Sequence, residues 1–149
     1  MDESTRSYLH EAVGRTMETL YAEDEELLAA SAVQLAHHFQ KADLPAKTLP
    51  YLLLAGKRAL QLAAYENAIV HFEQGLALLP LIPPSAERDR QELDLLVALG
   101  NTLIFARGTA LTVVGDTFRR VLALAERRAD QAQQALALFN LWGHYSDRA

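Results

Sequence analysis

Five histidines, a Gly-Lys pair and an acidic run are the first places to look for chemistry in this chain. His37 and His38 are adjacent, so on a helix they point ~100° apart and cannot share one ion as an i, i+4 pair would. One of them is expected at the core edge and the other in water. No His-Glu-x-x-His zinc pattern occurs, and His10, His71 and His144 have no neighbouring carboxylate and nucleophile to work with. Gly56-Lys57 lacks the earlier glycine that a phosphate-cradling loop requires. The expectation is a protein with no catalytic residue, no metal and no cofactor: not an enzyme. Glu23-Asp24-Glu25-Glu26 could attract a basic partner, but carboxylates there also suit the positive end of a helix dipole.

Composition narrows the partners. The chain has 149 residues, half of them hydrophobic, and a formal net charge of −5, so no overall field draws it to nucleic acid or to anionic lipid. Lys57-Arg58, Arg119-Arg120 and Arg127-Arg128 are diluted by acidic neighbours. Without cysteine there is no disulfide framework, which suits a cytoplasmic setting. The start, Met-Asp-Glu-Ser, is the opposite of a cationic signal peptide. Leu76 to Pro84, the most apolar stretch, is short and broken by three prolines, so no membrane span is expected.

Few β-branched residues and abundant Leu and Ala favour helix, and no convincing strand is legible. Helical strings are expected at about 4–21, 24–41, 46–62, 65–79, 85–106, 112–128 and 131–147. Pro50 implies a local kink or a later start in the third, and Ser85 and Asp130 (with Gln133) read as caps. Paired as hairpins over 4–41, 46–79 and 85–128, these leave a seventh, unpaired helix in one 1–149 domain. Gly14, Gly56, Gly100 and Gly143 sit inside apolar strings 42 to 44 residues apart. A glycine inside a helix costs up to ~1 kcal/mol relative to alanine, so a shared reason is expected, namely close approach of a neighbouring helix.

The stretch Tyr51 to Pro80 resembles one tetratricopeptide repeat. Leu52, Gly56, Ala68, Phe72, Gly75 and Pro80 stand at the motif's places, while Ala55 and Ala59 are smaller than the pattern prefers. Leu96, Leu99-Gly100, Leu103, Phe118 and Val121 match a second unit, and Ala12, Val13-Gly14, Met17, Leu28, Ala32, Leu35, Ala36 and Phe39 a weaker one. The spacing exceeds the ~34-residue period of that family. His10 to Arg107 as a whole is similar to the repeat regions behind the ATPase domain of bacterial adenylate/guanylate cyclase-like proteins and transcriptional regulators. The resemblance implies an all-α, right-handed α-α superhelix of about seven antiparallel helices. It implies a non-enzymatic protein-interaction module, regulatory or sensory, that holds a peptide or a helix in its concave groove. A small-molecule sensor with a cavity between helices is the alternative.

Carried over by position, the groove would present Glu11, Arg15, Glu18 and Thr19, then Leu53, Lys57, Leu60 and Gln61. Val97, Asn101, Ile104 and Phe105 follow, with Asn140 and His144 from the last helix. Lys57 and Arg15 are expected to meet an acidic ligand group, and Asn101 to donate hydrogen bonds. The last helix leaves Leu138, Phe139, Leu141 and Trp142 without a following partner. Exposed apolar surface costs ~25 cal/mol per Å², so either a downstream domain or a second copy, in a homodimer, is expected to cover it.

Overall fold

The computed structural model describes residues 2–147. Among them are eight α-helices and one short 3-10 turn, and no strand. The helices are α1 (Glu3–Tyr21), α2 (Glu25–Ala30), α3 (Ala32–Lys41), α4 (Pro45–Gln61), α5 (Tyr65–Leu78), α6 (Ala86–Arg107), α7 (Thr112–Arg127) and α8 (Gln131–Ser146). The all-helical expectation holds. The second expected string, however, is two helices, divided at Ser31 (φ −94°, ψ 1°). α2 buries nothing, whereas α3 must bring Leu35, Ala36 and Phe39 into the interior, and serine tolerates the bend because it is a weak interior helix former. α4 starts at Pro45 and runs through Pro50, so the proline falls early enough to be accommodated without ending the helix.

Caps form where oxygen side chains precede helices. Asp2, Asp24, Ser85 and Asp130 accept from the backbone N–H of Thr5, Leu27, Arg88 and Gln133 at 2.7, 2.9, 3.0 and 3.1 Å. The Asp130 box is only half formed, because Gln133 Oε1 is buried without a partner. Three helix ends close in the same way. Asp43, Ala63 and Ala129 adopt φ of 57°, 54° and 54°. One residue on, the N–H groups of Leu44, Ala64 and Asp130 reach back to the carbonyls of Phe39, Ala59 and Ala125 at 3.0, 2.8 and 2.9 Å. These are Schellman closures, and they send each next helix back along the previous one.

Helices consequently pack mainly in chain order, with the short α2 passed over: α1 on α3, α3 on α4, and so on to α7 on α8, with α4 also touching α6. The spaced glycines lie at those seams. A Cβ at Gly14 would sit 2.9 Å from the Phe39 ring, one at Gly100 2.7 Å from the Phe118 ring, and one at Gly56 2.2 Å from the Phe72 ring. Each phenylalanine is fully buried. The exception is Gly143, where an added Cβ meets nothing within 4 Å. The main apolar core runs from Leu49 to Leu141 across α4 to α8; α1 contributes no residue to it.

Candidate functional site

The first turns of α4 set up a cleft against α1. Lys47 and Tyr51 are one turn apart on α4 and both reach Glu18 of α1. Lys47 Nζ donates to Oε2 at 2.8 Å and Tyr51 Oη donates to Oε1 at 2.7 Å. Beneath them, the Tyr51 and Phe39 rings stack with centroids 5.7 Å apart, and Lys47 Nζ lies 4.7 Å from the centre of the Phe39 ring. Burial first, and then the Glu18 carboxylate, push the Tyr51 phenol above its ordinary value of 10.0, so it stays a hydrogen-bond donor. Glu18, Lys47 and Tyr51 line a cleft of about 420 Å³ together with Leu28, Pro50, Leu53, Leu54 and Lys57. A second cleft of about 180 Å³ shares Pro50, Leu53 and Lys57 and continues to Arg90, Asp94 and Leu95.

Lys57 is exposed at the junction of the two. Among the described residues it forms no hydrogen bond or ion pair, whereas its neighbours are committed. Lys47 is held by Glu18, Arg90 by Glu87 and Asp94, and Arg58 by Glu26. The cleft therefore offers an apolar floor and one unengaged cation.

The expected groove residues separate into groups. Glu18, Leu53 and Lys57 share the main cleft, with Glu18 tied up inside the protein. Arg15 pairs with Glu11 at 2.6 Å on the α1 surface and does not line it. Gln61 accepts from Arg58 at 3.1 Å. Asn101 and Phe105, the latter 81% exposed, line a separate cleft of about 190 Å³ with Leu60, Tyr65 and Thr102. Asn140 donates to its own helix at Leu136 O, 2.9 Å away. His144 is not a groove residue. It is 1% exposed, its ring fills the space above Gly115, and its Nδ1 lies 2.7 Å from Thr109 O. Leu141 likewise turns into the core, while Leu138, Phe139 and Trp142 face outward together with Tyr145, which the sequence reading left out. Lys47 was also missed; its only signal was the four-residue step to Tyr51.

Two further groupings were not foreseen. His10 on α1 meets the α3 pair: its Nδ1 lies 3.0 Å from His38 Nδ1, and the three ring centroids are 5.1 to 5.8 Å apart. His38 is half-buried and His37 exposed, the division expected of adjacent helical positions. Among the described residues no group of three or more His, Asp or Glu is disposed to hold a metal ion. Burial first, then the charges of His10 and His37, hold His38 below its ordinary 6.5. A further cleft of about 340 Å³ is lined by Val33, Ala59, Leu62, Arg58, Asn67 and His71, and the buried His71 Nδ1 has no partner.

No helix among the described residues is long and apolar enough to cross a membrane. Comparison of the chain with protein-family models, curated proteins and solved structures found no match.

Proposed function

We propose that this chain is a non-enzymatic protein-interaction module of the tetratricopeptide type, its helical hairpins stacked as a right-handed superhelix. In this reading it holds a short peptide or helix across α1, α4 and α6. Neighbour-on-neighbour packing, three matching Schellman closures and three glycine–phenylalanine seams support the repeat reading. One observation carries the site: Lys57 stands unpaired between two clefts floored by Pro50 and Leu53. That pattern fits a ligand with an apolar side chain beside a carboxylate, since an apolar anchor supplies area and the charge fixes register. The resemblance to repeat regions of bacterial regulators supports a regulatory role, with the bound segment as the regulated partner.

The test uses an immobilised array of peptides pairing leucine with glutamate, and a matching array pairing leucine with lysine. The chain should prefer the acidic set, Lys57→Glu should reverse that preference, and Leu53→Asp should weaken binding to both. An unchanged preference in Lys57→Glu would remove the site. A second reading, a small-molecule sensor, is favoured by the unpartnered His71 Nδ1 in the cleft that Arg58 and Asn67 also line. Thermal stabilisation by small carboxylic acids, abolished in His71→Leu with peptide binding intact, would select it.

A further inference from the structure

Of the six glycines inside helices, four face a ring from a packed helix: Gly14 takes Phe39, Gly56 takes Phe72 and Gly100 takes Phe118, while Gly115 takes the imidazole of His144. A fifth, Gly75, takes the side chain of Leu95. Gly143 differs from all five, because nothing lies within 4 Å of where its Cβ would be. It is a socket of the same kind left open.

The helix around it is built unlike the rest of the surface. From Gln131 to Ser146 there is no Asp, Glu, Lys or Arg, in a chain whose charged fraction is 22%. Leu138, Phe139, Trp142 and Tyr145 are 55 to 69% exposed on one face, and the Phe139 and Trp142 rings lie 6.3 Å apart. Polar groups begin at the margin, where Arg119 of α7 donates to Tyr145 Oη at 2.7 Å. An apolar, charge-free centre with a polar edge is the anatomy of a protein interface.

We propose that the occupant is a second copy of this chain, docked through α8. Phe139 precedes Gly143 by four residues, so ring and socket share one helix face. If two α8 helices cross antiparallel about a twofold axis at the level of Leu141, Phe139 of each copy stands opposite Gly143 of the other. The match is reciprocal, as an isologous interface requires. At ~150–250 Å² per aromatic side chain, the exposed face presents roughly 500 Å² per copy. Two copies bury roughly 1,000 Å² in total, the size at which a specific interface begins. This inference is independent of the cleft around Lys57, which lies on other helices.

The experiment is multi-angle light scattering and sedimentation over a micromolar-to-millimolar series, with Trp142 fluorescence recorded at each concentration. The native chain should pass from monomer to dimer as Trp142 emission shifts to the blue. Phe139→Ser should raise the dimer Kd about thirty-fold or more, the scale of a lost hot spot. Gly143→Leu decides between a shaped socket and a merely sticky face. An added Cβ there meets nothing within 4 Å in the monomer, and leucine adds apolar surface, so non-specific association would strengthen, whereas blocking the socket must weaken the dimer. Circular dichroism checks that both variants remain helical. A native chain that stays monomeric throughout, or a Gly143→Leu variant that dimerises as tightly as the native chain, overturns the proposal.

Discussion

The seam between α1 and α3 and the seam between α6 and α7 use the same device and are finished in opposite ways. At both, a glycine admits a fully buried phenylalanine, Phe39 in one and Phe118 in the other. Around Phe118 the neighbours are apolar: Leu96, Leu103, Val114 and Val121 are each 1% exposed or less and belong to the main core. Around α1 the fastenings are polar. Gly14 is its only buried residue, and the helix is tied down by Ser7 to Ala42 O, His10 to His38, and Glu18 to Lys47 and Tyr51. One seam depends on area removed from water, the other on the charge and protonation of a few groups. A single packing motif can therefore serve as permanent core or as a condition-dependent latch.

The largest break in that contrast comes from the rings. Phe118→Ala leaves a cavity in the shared core and should cost about 3–5 kcal/mol, read as a lower urea midpoint for the whole chain. Phe39→Ala should instead free α1 locally, giving early hydrogen exchange across Glu3–Tyr21 before the rest unfolds. A single transition, equally shifted in both variants, would show that the two seams are energetically alike. Smaller effects come from the glycines. Gly56→Ala and Gly100→Ala force Phe72 and Phe118 aside and should cost about 1–3 kcal/mol. Gly143→Ala, facing open space, should raise stability by up to ~1 kcal/mol through helix propensity alone. Loss of stability in Gly143→Ala would mean that its open position had been misjudged.

Acid should act on the latch and spare the core. The facing Nδ1 atoms of His10 and His38 can hold one proton between them; two would point at each other across 3.0 Å. With His38 held below 6.5 in the fold, the unfolded chain binds more protons once the pH falls beneath that value. The contribution is whole above about 6.5 and is lost as pH drops towards the depressed folded value. Urea midpoints and α1 hydrogen exchange from pH 7.5 down to 5.5 should show α1 loosening first, and His38→Gln should flatten the profile. An unaltered slope in that variant would place the pH sensitivity elsewhere.

How much of this was legible beforehand follows from the range of each interaction. Caps and breaks are local, so Ser85, Asp130 and the prolines after Leu79 marked their boundaries. The glycine spacing carried three seams, because Gly14, Gly56 and Gly100 must each admit a ring whatever else surrounds it, but it misled at Gly143, which no neighbouring helix approaches. His10 and His38 are 28 residues apart and Glu18 and Lys47 29, and no periodicity announces that such pairs meet. Leu141 and His144 read as surface residues because their side of α8 depends on how α8 rests on α7, a rotation that an almost uncharged helix does not encode.

The finest distinction lies in the turns, and it tests the same contrast from the backbone. Ala63, itself exposed, joins α4 to α5, two helices of the main core, with φ at 54°, and Asp43 joins α3 to α4 beside the polar seam with φ at 57°. A left-handed conformation costs an alanine ~1–2 kcal/mol, while aspartate tolerates it better through local hydrogen bonding. Glycine removes that strain but adds freedom to the unfolded chain worth ~0.4–1 kcal/mol. Ala63→Gly should thus gain a net ~0.5–1 kcal/mol, a melting shift of about 2 °C for a chain of this size, and Ala129→Gly a similar amount. Asp43→Gly should gain nothing measurable, since it gives up a residue already suited to the turn. If Ala63→Gly instead lowers the melting temperature, the freedom added to the unfolded chain outweighs the strain relieved at this exposed turn, and the three closures are alike in geometry but not in energetics.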